Sequence, residues 1–158
     1  PTEKPSNETY NVLKLVDGKV PLIIELKSDV KCGLLEEEVI KRLKDYKGKY
    51  AVKSFNPFSI RYFKKNYPEA IRGQLVSSFK NKKMNSIKKL FLSHMFFNFL
   101  TKPDFISYDI KSLPNNKISK LRDDKLILGW TVRTTEDLEK AKKYCDNYIC
   151  ENIDFKKI

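Results

Sequence analysis

Histidine occurs once in these 158 residues, as His94. It sits in the middle of an expected helix, on an apolar stripe, and reads as a packing residue. That leaves no Ser-His pair and no HExxH zinc motif, and no glycine-rich loop is present to cradle a phosphate. Cysteine is scarce and odd in number: Cys32, Cys145 and Cys150. Without paired spacing they do not read as a disulfide framework. Cys145 and Cys150 lack a CxxC spacing and a neighbouring histidine, which argues against zinc. Reduced thiols in a cytoplasmic protein are the expectation. Long apolar runs are missing too, and nothing approaches the ~20 residues of a membrane span. The longest apolar patch, LFLSHMFFNFL, is interrupted by Ser93, His94 and Asn98. The leading PTEKPSNET is polar and proline-bearing, unlike a signal-peptide core. It begins with Pro1 rather than Met, so a chain cut from something longer is expected.

What is present describes a globular domain. The chain is 41% hydrophobic and 12% aromatic, enough for a single domain with a real core. Its net charge is +12, from 32 Lys and Arg against 20 Asp and Glu. The lysines are spread along the chain among the acids. Only FKNKKMNSIKK, residues 79–89, forms a local basic cluster, and it suits a solvated helix start as well as a phosphate-binding surface. Aromatic residues fall in expected strand and helix cores rather than between lysines on one face. A nucleic-acid partner is therefore not expected; such a partner would show a steep loss of affinity with salt.

Local patterns alternate between strand and helix. YNVLKLVDGK suggests a short helical turn closed by Asp17-Gly18, with glycine suiting the left-handed position past a helix end. VPLIIELK follows as a strand. CGLLEEEVIKRLKDYKGK carries Leu35, Val39, Leu43 and Tyr46 at helical spacing and ends at Gly48. Glu37–Lys41 and Glu38–Arg42 are acid-before-base pairs four residues apart. YAVKSF reads as a strand broken by Asn56-Pro57, and FSIRYFKKNY as a short helix stopped by Pro68. GQLVSSF, DFISYDI, KLILGWTV and NYICENI read as further strands. NSIKKLFLSHMFFNFL, PNNKISKLRDD and TTEDLEKAKKYC read as helices, the last with Thr134 as N-cap and Asp137 three residues on. About six strands alternating with helices predict an α/β fold with a parallel sheet. An open doubly wound sheet and most of a (β/α)8 barrel both satisfy this pattern. A whole barrel needs eight strands and usually about 250 residues.

In either architecture ligands bind at the carboxyl ends of the strands. Those ends offer Glu25 and Lys27; Lys53, Ser54, Phe55 and Asn56; Ser77 and Ser78; Tyr108, Asp109 and Lys111; Trp130, Thr131 and Arg133; and Glu151 and Asn152. Glu25 and Lys27 share one strand face. A carboxylate suits a hard cation such as Mg²⁺ or Ca²⁺, and a lysine suits a phosphate. The same pair also suits a strand end that meets water. Trp130 suits a flat wall against a glycerol or sugar carbon face, or equally the core. Ser54 suits a turn that satisfies backbone groups.

Taken in order, VPLIIELK, YAVKSFNP, PEAIRGQLVS, LILGWTV and DNYICEN resemble the later two-thirds of a glycerophosphodiester phosphodiesterase. PSNETYNVLKLVDGK resembles the helix that family places before its Glu-x-Lys strand. The resemblance implies a partial (β/α)8 TIM barrel without its first two strands, forming a single domain over residues 1–158. It implies hydrolysis of glycerophosphodiesters to an alcohol and glycerol 3-phosphate, with a divalent cation, Mg²⁺ or Ca²⁺. It implies Glu25 as a metal ligand, Lys27 as the residue that neutralises the phosphate, and Trp130 packed near the glycerol, with Ser54 and Phe55 at the substrate. The family's His-Arg-Gly and His-Asp motifs, whose histidines are its general acid and base, and its metal-binding Glu-x-Asp pair do not occur in this sequence. Its usual Thr-Asp at the last strand is replaced by Cys150-Glu151. The expectation is a chain that does not turn over substrate alone. The alternative is a non-catalytic anion-binding α/β module or degenerate homologue, binding phosphate without a metal. Two open sheet edges would invite self-association unless covered.

Overall fold

The computed structural model describes residues 7–28, 32–77 and 101–154. Their elements are α1 (Asn7–Val16), β1 (Leu22–Leu26), α2 (Leu34–Lys44), β2 (Tyr50–Ser54), α3 (Pro57–Asn66), β3 (Ile71–Val76), β4 (Phe105–Asp109), α4 (Asn116–Leu121), β5 (Leu126–Val132), α5 (Thr135–Tyr144) and β6 (Asn147–Cys150). A 3-10 turn, Ile110–Ser112, follows β4. Strand order is chain order, β1 to β6, and the pairs β1–β2, β2–β3, β4–β5 and β5–β6 are parallel. The fold class is α/β, with strands and helices alternating as the sequence patterns predict. The expected helix over residues 85–100, His94 and the basic cluster at 79–89 lie outside the described residues.

The chain divides into two compact units, residues 1–74 with 96–103 and residues 75–95 with 104–158. The first is built on β1 and β2. Along β1, Leu22, Ile24 and Leu26 are half-buried or buried, while Ile23, Glu25 and the following Lys27 are exposed. This is the two-residue period of a strand with one covered face. Leu13, Leu26, Leu43, Val52, Phe63 and Tyr67 form the buried cluster behind it. Each such side chain contributes about 1.5–3 kcal/mol by leaving water. The Tyr50 hydroxyl donates to that of Tyr67 at 3.1 Å.

Three local features depart from the sequence reading. Helix α1 runs ten residues, and both Asp17 (φ 46°) and Gly18 (φ 73°) take the left-handed conformation after it. Helix α2 stops at Lys44, short of Gly48, with Asp45 as its C-cap. Tyr46 therefore packs from a turn instead of continuing the apolar stripe. Its hydroxyl accepts the Gly18 amide at 3.2 Å, and its ring lies where a Cβ on Gly48 would fall, 2.5 Å away. Glu36, which a surface helix would expose, is fully buried. It accepts hydrogen bonds from the Ser59 hydroxyl of α3 and from the Gly33 amide at 2.7 Å. The pairs Glu37–Lys41 (3.3 Å) and Glu38–Arg42 (3.2 Å) form as their spacing predicts.

The second unit packs α5 against β5 and β6. Its core includes Val76, Ile106, Ile110, Ile127, Val132 and Leu138. Gly129 is required by close approach: a Cβ there would lie 2.7 Å from Cys145 Sγ and 3.0 Å from Ile110. The Thr134 hydroxyl accepts the Asp137 amide at 3.1 Å, the expected cap of α5. The Asn115 side chain caps α4 by accepting from the Lys117 amide at 2.9 Å, and donates to the Tyr108 hydroxyl at 3.1 Å. Arg122 donates to Asp146 (2.8 Å) and to the carbonyls of Lys143 and Cys145 (both 3.2 Å). Asp146 in turn accepts the Ile127 amide at 2.7 Å. This network latches the amino end of β5 to the helices beside it.

Candidate functional site

Parallel pairing sets β1 and β2 so that Glu25 lies opposite Lys53 and Leu26 opposite Ser54. Glu25 and Lys53 thus share a face, and Lys27, exposed like Glu25, stands one residue past the end of β1. Lys53 is 6% exposed. Its Nζ stands 3.8 Å from Glu25 Oε2, the glutamate side chain being 34% exposed. Burial pushes the Lys53 ammonium below the ordinary lysine pKa, and Glu25 only partly opposes that. Lys53 was a strand-end residue by sequence; its burial against Glu25 was not legible there, because it depends on the register of a neighbouring strand.

Ser54 points away from this face and is fully buried. Its hydroxyl donates to the Leu26 carbonyl at 2.7 Å and accepts the Asn56 amide at 3.1 Å. Gln74 of β3 donates to the carbonyls of Ser54 (3.0 Å) and Phe55 (3.2 Å). A row of side chains therefore ties the carboxyl ends of β1, β2 and β3 together. Phe55 is half-buried just beyond Ser54. Asn56 caps α3 by accepting the Phe58 amide at 3.0 Å, with Pro57 at the first helical position. Its amide nitrogen reaches Ser28 Oγ (3.3 Å) and Cys32 Sγ (3.2 Å). Desolvation first, then Glu36, raises the Cys32 thiol pKa, against hydrogen bonds that lower it. The Asn-Pro dipeptide was the available signal for this cap.

In the second unit, Trp130 of β5 lies opposite Asp109 of β4. Trp130 is half-buried, and the Trp130–Thr131 peptide bond is cis. Asp109 accepts from Ser77 Oγ at 3.1 Å, from the Lys111 amide at 3.0 Å and from Ser112 Oγ at 3.5 Å. At the end of the unit Arg133 pairs with Glu151 at 2.5 Å, both half exposed. Glu25, Lys27, Ser54 and Phe55 thus belong to one unit, and Trp130 to the other.

Among the described residues, no group of three or more His, Cys, Asp or Glu stands close enough to hold a metal ion. Glu25 offers one hard carboxylate ligand, not a set. No helix among the described residues is long and apolar enough to cross a membrane.

No protein-family model matches the chain. No curated protein matches it in sequence. Solved structures do match its fold. A Silicibacter pomeroyi protein assigned as a glycerophosphoryl diester phosphodiesterase aligns with TM-score 0.68 and 14% identity, over 89% of this chain and 51% of its own. A glycerophosphodiester phosphodiesterase from Parabacteroides distasonis gives 0.66 and 18%, over 92% and 59%. An Oleispira antarctica phosphodiesterase, solved with its product sn-glycerol-3-phosphate, gives 0.59 and 19%, over 83% and 51%. At these identities the likeness is one of fold, part of a (β/α)8 barrel. The chain spans between half and three-fifths of the length of these proteins.

Proposed function

We propose that the chain is part of a glycerophosphodiester phosphodiesterase barrel, and that the β1–β2 strand ends form part of its phosphodiester site. The observation that carries this reading is Glu25 at the carboxyl end of β1, with Lys53 opposite it and Lys27 two residues on, in a fold that aligns with phosphodiesterases over most of its length. The reaction splits one P–O bond, water supplying the new oxygen, and releases an alcohol and glycerol 3-phosphate. A bound Mg²⁺ or Ca²⁺ would stabilise negative charge growing on the phosphoryl oxygens. Glu25 would supply one of its oxygen ligands, the rest coming from outside the described residues. Lys27 neutralises the phosphate charge. Ser54 and Gln74 hold the strand ends at which those side chains stand.

The test begins with the reading frame around the Pro1 codon. If it supplies His-Arg-Gly, Glu-x-Asp and His-Asp, the longer protein is expected to release glycerol 3-phosphate from a glycerophosphodiester in a metal-dependent manner. E25Q is expected to lower that rate by about 10²–10³, the scale for losing one group that stabilises transition-state charge. The 158 residues alone are expected to release none. Metal-dependent release by this chain alone, or an E25Q variant of the longer protein as fast as wild type, would overturn the reading.

A further inference from the structure

The carboxyl ends of β1 and β2 bring two lysines, Lys27 and Lys53, and one acid, Glu25. Glu25 and Lys53 are register partners, and the exposed Lys27 follows just past the end of β1. Lys53 is 6% exposed. Glu25 is its only ionic partner among the described residues, and at 3.8 Å it lies outside hydrogen-bond range. A cation taken this far out of water is costly unless its charge is met and its N–H groups are bonded. Glu25 meets that need in part, being itself a third exposed. A phosphate oxygen against Lys53 Nζ would supply the charge-assisted hydrogen bond that Glu25, at 3.8 Å, does not make.

We infer that Lys53 is an oxyanion-binding residue, which with Lys27 holds the phosphate group of a mono- or diester directly on the β1–β2 face, with no divalent cation between. The inference rests on the reading of this face as a phosphodiester site, and adds a residue to it. Glu25 balances the Lys53 charge while the face is empty. It also opposes an incoming anion.

The test is titration of the isotopically labelled chain, in EDTA and at fixed ionic strength, with inorganic phosphate and separately with sn-glycerol 3-phosphate. Saturable amide shifts are expected at Glu25–Ser28 and Lys53–Phe55. K53M, which keeps the apolar stem, is expected to weaken binding about tenfold, equivalent to about 1.4 kcal/mol. K53R should retain binding, and E25Q should tighten it. Absence of saturable shifts, shifts confined to other elements, binding only after Mg²⁺ or Ca²⁺ is added, or a K53M affinity equal to wild type would each overturn the inference. If K53M does not fold, the wild-type shift map and K53R decide. EDTA-resistant binding with no hydrolysis by the longer protein would sink the phosphodiesterase reading and leave Lys53 standing. Hydrolysis indifferent to Lys53 would do the reverse.

Discussion

Cys145 shows what a single buried side chain does to the pH response of the molecule. It is 5% exposed and lies against Gly129. Desolvation pushes its thiol from 9.0 up to about 11, with Arg122 opposing and Asp146 assisting. The folded state therefore holds this proton more tightly than the unfolded chain. The resulting stability is complete below pH 9 and is lost as pH rises through about 11. Wild type and C145A should accordingly converge in unfolding free energy across that window, a change of at most about 3 kcal/mol. Urea melts of both proteins at pH 8, 9.5 and 11 would measure it, and a constant difference would contradict the assignment. Gly129→Val should destabilise by about 1–3 kcal/mol through overpacking onto Cys145 and Ile110, read as a lower midpoint in the same melts.

At the scale of elements, caps and strand register carry most of the order. T134A should cost about 1 kcal/mol by removing the acceptor for the Asp137 amide. T134S should restore it, with thermal melts as the readout. This cap was legible in the sequence because its partners lie three residues apart. The alternation of strand and helix was legible for the same reason, since periodicity is local. The true end of α2 was not, because Tyr46 turns out of the helix to meet Gly18, 28 residues away. The burial of Glu36 escaped as well: its partner Ser59 belongs to another helix. The exposure of Glu25 and Lys27 was legible from strand alternation alone. Lys53 was not, for its character comes from the neighbour that β-pairing gives it. The hydroxyl of Ser54 was open to two readings, and the structure shows it engaged on both sides by backbone groups.

For the whole molecule, each unit carries its own buried cluster, and among the described residues β1 pairs only with β2 and β6 only with β5. A strand with one free side offers backbone donors and acceptors to a second chain. Ile23, 46% exposed on β1, adds apolar surface there. Concentration-dependent self-association is therefore expected in sedimentation velocity. I23K should reduce it, since a charged edge residue disfavours pairing. Equal sedimentation of both proteins as monomers across the concentration range would rule it out.

The bond between Glu36 and Ser59 limits which sequences can carry this fold. Both residues are fully buried, so neither can be exchanged alone without consequence. Ser59→Ala takes the hydroxyl from a buried carboxylate and costs about 1–3 kcal/mol. Glu36→Leu frees the Gly33 amide and leaves the Ser59 hydroxyl only Ser28 and Cys32 as partners. An apolar pair could pack the same space, yet every single-step route to it crosses a weakened intermediate. Descendants of this sequence should therefore keep the two residues together or lose them together, a linkage in inheritance set by one hydrogen bond between two helices.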